Sequence, residues 1–132
     1  MTIDADERRA VFTEKAPRPG GHYSQAIVHG PLVYVSGQVP VDPATGKPIE
    51  GGIEEQTRRA LQNIQAILAG AGLGLDAVIK TTCFLSDASN FAGFNNAYKE
   101  FFPADPPARS TVGATLPGPY LVEIEALAVR PT

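Results

Sequence analysis

The 132-residue chain contains no tryptophan, one cysteine, one methionine and two histidines. One cysteine cannot close an internal disulfide. Cys83 falls within an apolar strand, where an inert buried thiol is the reading ahead of a nucleophile. His22 and His29 are too few and too isolated to frame a metal centre, so no metal is expected. Positive charge is scarce as well. Eleven Lys and Arg stand against 14 Asp and Glu, for a net charge of −3 with no block of one sign. A nucleic-acid-binding surface normally carries a basic stripe, so no nucleic acid partner is expected. No apolar run approaches membrane-spanning length, and residues 1–7 are acidic without the apolar core of a signal peptide. The expected setting is the cytoplasm, with no membrane partner.

Apolar residues make up 43% of the chain, enough for a packed core, and the length suits a single domain over residues 1–132. Residues 1–10 are polar and read as flexible. An edge strand is expected to begin at Val11-Phe12-Thr13, followed by a Pro- and Gly-rich loop over 16–21 that delivers His22-Tyr23-Ser24. Two strands, 24–29 and 32–36, flank the Gly30-Pro31 turn and read as a hairpin. The segment 40–48, with three prolines and a Thr-Gly turn, reads as a loop. From 53 to about 70, Ile53, Thr57, Ala60, Leu61, Ile64, Ile67 and Leu68 recur at helical spacing, with Glu54 and Glu55 in the first turn. Arg58, Arg59, Gln62 and Gln65 lie off that stripe as a solvated face. A strand over 76–85 leads to a second helix, whose Phe91, Phe94, Tyr98, Phe101 and Phe102 read as core and which Pro103 stops. A short strand after Arg109, a turn at 116–119 and a final strand over 120–129 complete the chain. The order is β-β-α-β-α-β-β, an α+β fold with one mixed sheet and two helices on one face. The other face, with residues such as Tyr34, Phe84 and Leu121, calls for a cover, and another copy of the chain is the simplest one.

Two charged residues stand out against this frame. Arg109 follows Asp105-Pro106-Pro107-Ala108, where two prolines stiffen the backbone, and it opens a strand. Its planar, permanently charged fork matches a carboxylate, although an arginine is as readily a surface charge or half of an ion pair. Glu123 and Glu125 share one face of the last strand with Leu121 and Leu127. A glutamate on a partly apolar face needs a partner or a task.

In order and spacing, several segments resemble the RidA (YjgF) family of reactive-intermediate imine deaminases. They are Val35-Ser36-Gly37-Gln38-Val39-Pro40, Lys80-Thr81-Thr82, Asn95 with Tyr98 and Phe101-Phe102, Pro107-Ala108-Arg109-Ser110, and Glu123-Ile124-Glu125-Ala126 with Ala128-Val129. The likeness runs from about Glu14 to Arg130. It implies a chorismate-mutase-like (YjgF-like) fold assembled as a homotrimeric barrel with clefts between subunits. It implies that Arg109 grips a substrate carboxylate and that Glu123 is the second catalytic residue. Tyr23, Ser36, Gly37, Asn95 and Thr111 are implied to line the same cleft. The implied reaction, without a cofactor, is hydrolysis of 2-iminobutanoate and 2-iminopropanoate, or their enamine forms such as 2-aminoacrylate, to 2-keto acids and ammonia. Thr111 stands where cysteine is usual and His22 where proline is usual, so an altered substrate preference is expected. Two other functions fit the same residues: a regulatory trimer that binds small carboxylates without turnover, and a pathway-specific enamine or amide hydrolase on the same fold. Ribonuclease activity has little support in an acidic chain.

Overall fold

The computed structural model describes residues 2–131. Its centre is a six-stranded sheet in the order β1-β2-β3-β8-β6-β7. These strands are β1 (Arg8–Val11), β2 (Ala26–His29), β3 (Leu32–Gln38), β6 (Val78–Leu85), β7 (Ala108–Gly113) and β8 (Val122–Val129). Only the β6–β7 pair is parallel. Two helices, α1 (Ile53–Gly70) and α2 (Phe91–Phe101), pack on one face. The α+β layering expected from the element order is present.

Side-chain alternation sets the two faces. Along β8, Val122, Ile124, Ala126 and Ala128 are buried toward the helices while Glu123, Glu125 and Leu127 alternate with them on the other face. Val33 and Val35 of β3 and Cys83 and Leu85 of β6 join the same core as Leu61, Ile64, Leu68 and Phe94. The far face stays open, and Tyr34 there is 48% exposed. The α1 stripe is buried from Thr57 to Leu68 as its periodicity predicts and half-buried at Ile53, and two polar residues, Gln56 and Asn63, are buried too.

Strand ends in β2, β3 and β8 differ from expectation by two residues, and three further differences have local causes. The edge strand is Arg8–Val11, not a strand starting at Val11, so residues counted within a flexible end pair with β2. Glu7 explains part of this. Arg130 donates to Glu7 Oε1 (2.8 Å) and to the Gly30 carbonyl, tying the start of β1 to the β2–β3 turn and the end of β8. The Arg130 guanidinium, and then Arg9, hold the Glu7 carboxyl below its ordinary range. Second, the proline-rich loop contains a small hairpin, β4 (Val41–Asp42) with β5 (Lys47–Pro48), turning at Gly46 with φ +70°. Pro48 is tolerated because a two-stranded ribbon leaves its missing N–H on an edge. Third, a 3₁₀ turn at Leu75–Ala77 takes the start of the strand expected from 76.

Candidate active site

Arg109 is the second residue of β7. Its register partner is Thr81, which is buried on the helix side of the sheet, so Arg109 points toward α2. There the guanidinium carbon stands 5.5 Å from the ring centre of Phe91, 5.4 Å from Phe94 and 4.7 Å from Tyr98. The aromatic row that reads as core in the sequence is therefore also a platform for a cation. Tyr98 is locked beneath it by a 2.7 Å hydrogen bond with Thr81. Asn95, one turn before Lys99 on the same helix, accepts a 2.9 Å hydrogen bond from Arg109 Nη1. No carboxylate among the described residues pairs with Arg109. It is a held, partly desolvated cation with donors to spare.

Thr111 follows on the same face, paired in register with Cys83. Its hydroxyl is buried and has no hydrogen-bond partner among the described residues. Burial, the largest influence, pushes the Cys83 thiol up to about 11, which makes it a poor nucleophile.

The other expected site residues gather elsewhere. Between Val35 and Gln38, β3 advances three residues while β8 advances two, from Ala126 to Ile124. This bulge frees Ser36 and Gly37 from the ladder and turns them toward Glu123. A side chain at Gly37 would collide with Glu123 Oε2, so only glycine lets the carboxylate lie against the backbone. Ser36 Oγ donates to the Ser24 carbonyl (2.6 Å), which fixes the loop that carries Tyr23. Tyr23 is half exposed, and its hydroxyl accepts from the Gly20 N–H (3.2 Å). Tyr23, Ser36, Gly37 and Glu123 line one cavity of about 580 Å³, together with Arg18 and Tyr120, which sequence reasoning did not single out. Neither is legible without the fold, because only the tertiary course of the two loops brings them there. His22 is exposed and lies outside the cavity lining. Glu123 makes no hydrogen bond to a described residue, and burial, then repulsion from Glu125, raises its carboxyl above the ordinary value.

The structure thus sorts the expected residues into two groups. Arg109, Asn95 and Thr111 lie on the helix side near one sheet edge, and none of them lines the cavity. Glu123 lies on the open side. On β6 its partner is Phe84, three positions along from Thr81, the partner of Arg109. Within one chain the cation and the carboxylate face away from each other. Among the described residues no group of three or more His, Cys, Asp or Glu side chains could hold a metal ion, and no helix is long and apolar enough to cross a membrane.

A family model described as endoribonuclease L-PSP matches residues 13–130. A RutC family protein of Pyrococcus abyssi is 47% identical over 124 residues, spanning 93% of this chain and 98% of the relative. A 2-iminobutanoate/2-iminopropanoate deaminase of Capra hircus is 43% identical over 124 residues, spanning 93% of this chain and 90% of the relative. The crystal structure of E. coli TdcF with bound serine superposes with a TM-score of 0.88 at 41% identity, covering 93% of this chain and 99% of that one.

Proposed function

The chain belongs to the endoribonuclease L-PSP family, that of the RidA and YjgF proteins its sequence resembles, and from that membership we propose that it hydrolyses reactive 2-imino acids to 2-keto acids and ammonia. The observation that carries the reading is Arg109: a guanidinium backed by three aromatic rings, steadied by Asn95, with no acidic partner among the described residues. Such a group is a ready receptor for a carboxylate. The goat relative, a deaminase by name, supports the choice of reaction.

In this reading Arg109 holds the substrate carboxylate and fixes the C=N group beside Glu123. The imine carbon is already electrophilic, so orientation and proton handling are the protein's tasks. Glu123, its carboxyl raised by burial and so a stronger base, takes a proton from water. The water oxygen bonds to the imine carbon and the proton taken from water passes on to the nitrogen; the carbinolamine hydroxyl then gives its proton, through Glu123, to the nitrogen as the C–N bond breaks, so that the C=O of the keto acid forms and ammonia leaves. Tyr23, Ser36, Gly37 and Thr111 are the proposed walls of the cleft. Because Arg109 and Glu123 face opposite sides of one sheet, the reading needs a second copy, and we take the assembly to be a homotrimer with clefts between subunits.

The test is to supply 2-iminobutanoate from threonine with a threonine dehydratase and follow 2-ketobutyrate. The protein should accelerate its release over buffer. Arg109→Ala should lose about 30- to several-thousand-fold, the equivalent of truncating one partner of a charge pair at roughly 2–5 kcal/mol. Arg109→Lys should lose most of that, because an ammonium lacks the planar fork. Unchanged keto-acid release by a folded Arg109→Ala protein would overturn the reading. A second reading, carboxylate binding without turnover, is favoured by the serine held by E. coli TdcF, a ligand with no C=N bond. Calorimetric binding of 2-ketobutyrate with no acceleration in the same assay would select it.

A further inference from the structure

The deaminase reading uses one cation, Arg109, for the one carboxylate common to all 2-imino acids. The cavity that holds Glu123 contains another. Arg18 and Glu123 are its only charged lining residues. Arg18 is unused by any step above.

Arg18 is an exposed side chain on a stiff stretch of backbone. It lies between Pro17 and Pro19, so the backbone on both sides is restricted. The loop is pinned from below by Gln25, which is 1% exposed and whose Nε2 donates to the carbonyls of Thr13 and Pro17 at 3.0 Å each. The guanidinium carbon stands 5.4 Å from the ring centre of Phe12, an aromatic residue that is otherwise 53% exposed. Among the described residues its single acidic partner is Glu14, at 3.4 Å, with both side chains at least three-quarters exposed. A pair of that kind is worth little and is readily exchanged for another carboxylate. The cavity volume of about 580 Å³ falls within the range of roughly 300–1,000 Å³ usual for ligand pockets, which leaves room for a side chain that ends in a second carboxylate.

We infer that Arg18 receives a second carboxylate, on the substrate's side chain, and that the preferred substrates are 2-imino dicarboxylates of the iminosuccinate and iminoglutarate class. The inference rests on the imine-hydrolase reading for its reaction. Water adds to the imine carbon, the C–N bond breaks, and the products are ammonia and a 2-keto dicarboxylate. A 2-imino acid with an alkyl side chain leaves Arg18 without a partner, whereas a diacid places one carboxylate on each arginine.

The experiment compares two imines made in the reaction vessel: 2-iminosuccinate from L-aspartate with an aspartate oxidase, and 2-iminobutanoate from threonine with a threonine dehydratase. Ammonia and keto-acid release give kcat/KM for each. The diacid should be favoured, and the diacid-to-monoacid ratio should fall about two- to fivefold in Arg18→Ala, the scale of one largely exposed charge contact. Arg18→Glu should invert the preference. A wild-type preference for the monoacid, or a ratio that Arg18→Ala leaves unmoved, overturns the inference while the deaminase reading stands. If neither imine is accelerated, the deaminase reading fails and calorimetry decides the role of Arg18. Tighter binding of 2-ketoglutarate than of 2-ketobutyrate, lost in Arg18→Ala, supports it; equal affinities, or a difference that survives the substitution, reject it.

Discussion

Glu123 is held by its surroundings in a state unlike that of a surface glutamate. Burial is the larger influence and Glu125 the smaller, and both favour the protonated carboxyl. A base must be ionised, so the proposed reaction should fail as pH falls through an inflection above about 4.3, the ordinary glutamate value. The pH profile of kcat/KM measures this, and Glu125→Gln should move the inflection down by removing the lesser cause. The same shift has a consequence for folding. A carboxyl raised in the folded state stabilises most below its unfolded value, and that contribution is lost as pH rises through the folded value. At neutral pH the fold therefore carries the ionised Glu123 as a cost. Glu123→Gln should abolish turnover, keep keto-acid binding, and melt no lower than the parent protein at pH 7. A lower Tm would show that the charge is structural. The candidacy of Arg109 and Glu123 was open to inspection in the sequence, because a proline-stiffened arginine and a glutamate between leucines are local patterns. Arg18 was not, since nothing local tells a cavity rim from a solvated loop.

At the scale of elements, α1 was the easiest to read and still held an omission. Its apolar spacing marks residues 53–70, yet Asn63 sits in the core with 0% exposure. Its amide donates to the carbonyls of Val39 (3.2 Å) and Val41 (3.0 Å), and its oxygen accepts from Arg59 Nε (3.1 Å). Val39 and Val41 line the cavity, so the middle of the helix moors one wall of the site. Gln56 moors another: its Oε1 accepts from the Leu121 N–H (2.9 Å), next to the cavity residue Tyr120. A carboxamide in a periodic pattern reads as solvated, because its partners come from a distant segment that periodicity does not see. The hairpin of β4 and β5 was missed for a related reason: its prolines argue for a loop, and the mooring from α1 is tertiary. Asn63→Ala leaves the part-buried Val41 carbonyl without its donor, while the Val39 carbonyl keeps the Val41 N–H at 2.7 Å, so it should cost about 1–3 kcal/mol. Hydrogen exchange should quicken across residues 39–46 more than in β8. Uniform loosening of the whole sheet would mean that Asn63 supports the core and not the wall.

For the whole molecule the decisive fact is the separation of charge across the sheet. Arg109 points to the helices at one edge, and Glu123 points to the open face. The layering of helices on one side was legible from element order, and so was the open far face. The splitting of the site was not, because residue types carry no record of which face an edge strand's parallel register selects. If copies of the chain complete one another, each cleft takes Arg109 from one subunit and Glu123 from its neighbour. Two inactive proteins, Arg109→Ala and Glu123→Gln, then become complementary. Co-refolded at equal concentration, they form mixed assemblies in which about one cleft in four draws an intact arginine from one subunit and an intact glutamate from the next. Imine hydrolysis should return to about a quarter of the wild-type rate per subunit, and light scattering should give the mass of three chains of 13.9 kDa. A double variant carrying both changes, co-refolded with wild type, separates dilution from complementation. Mixed trimers that stay as inactive as their parents would mean that one chain supplies both charges after a rearrangement of its own loops, and the shared-cleft assembly would have to be abandoned.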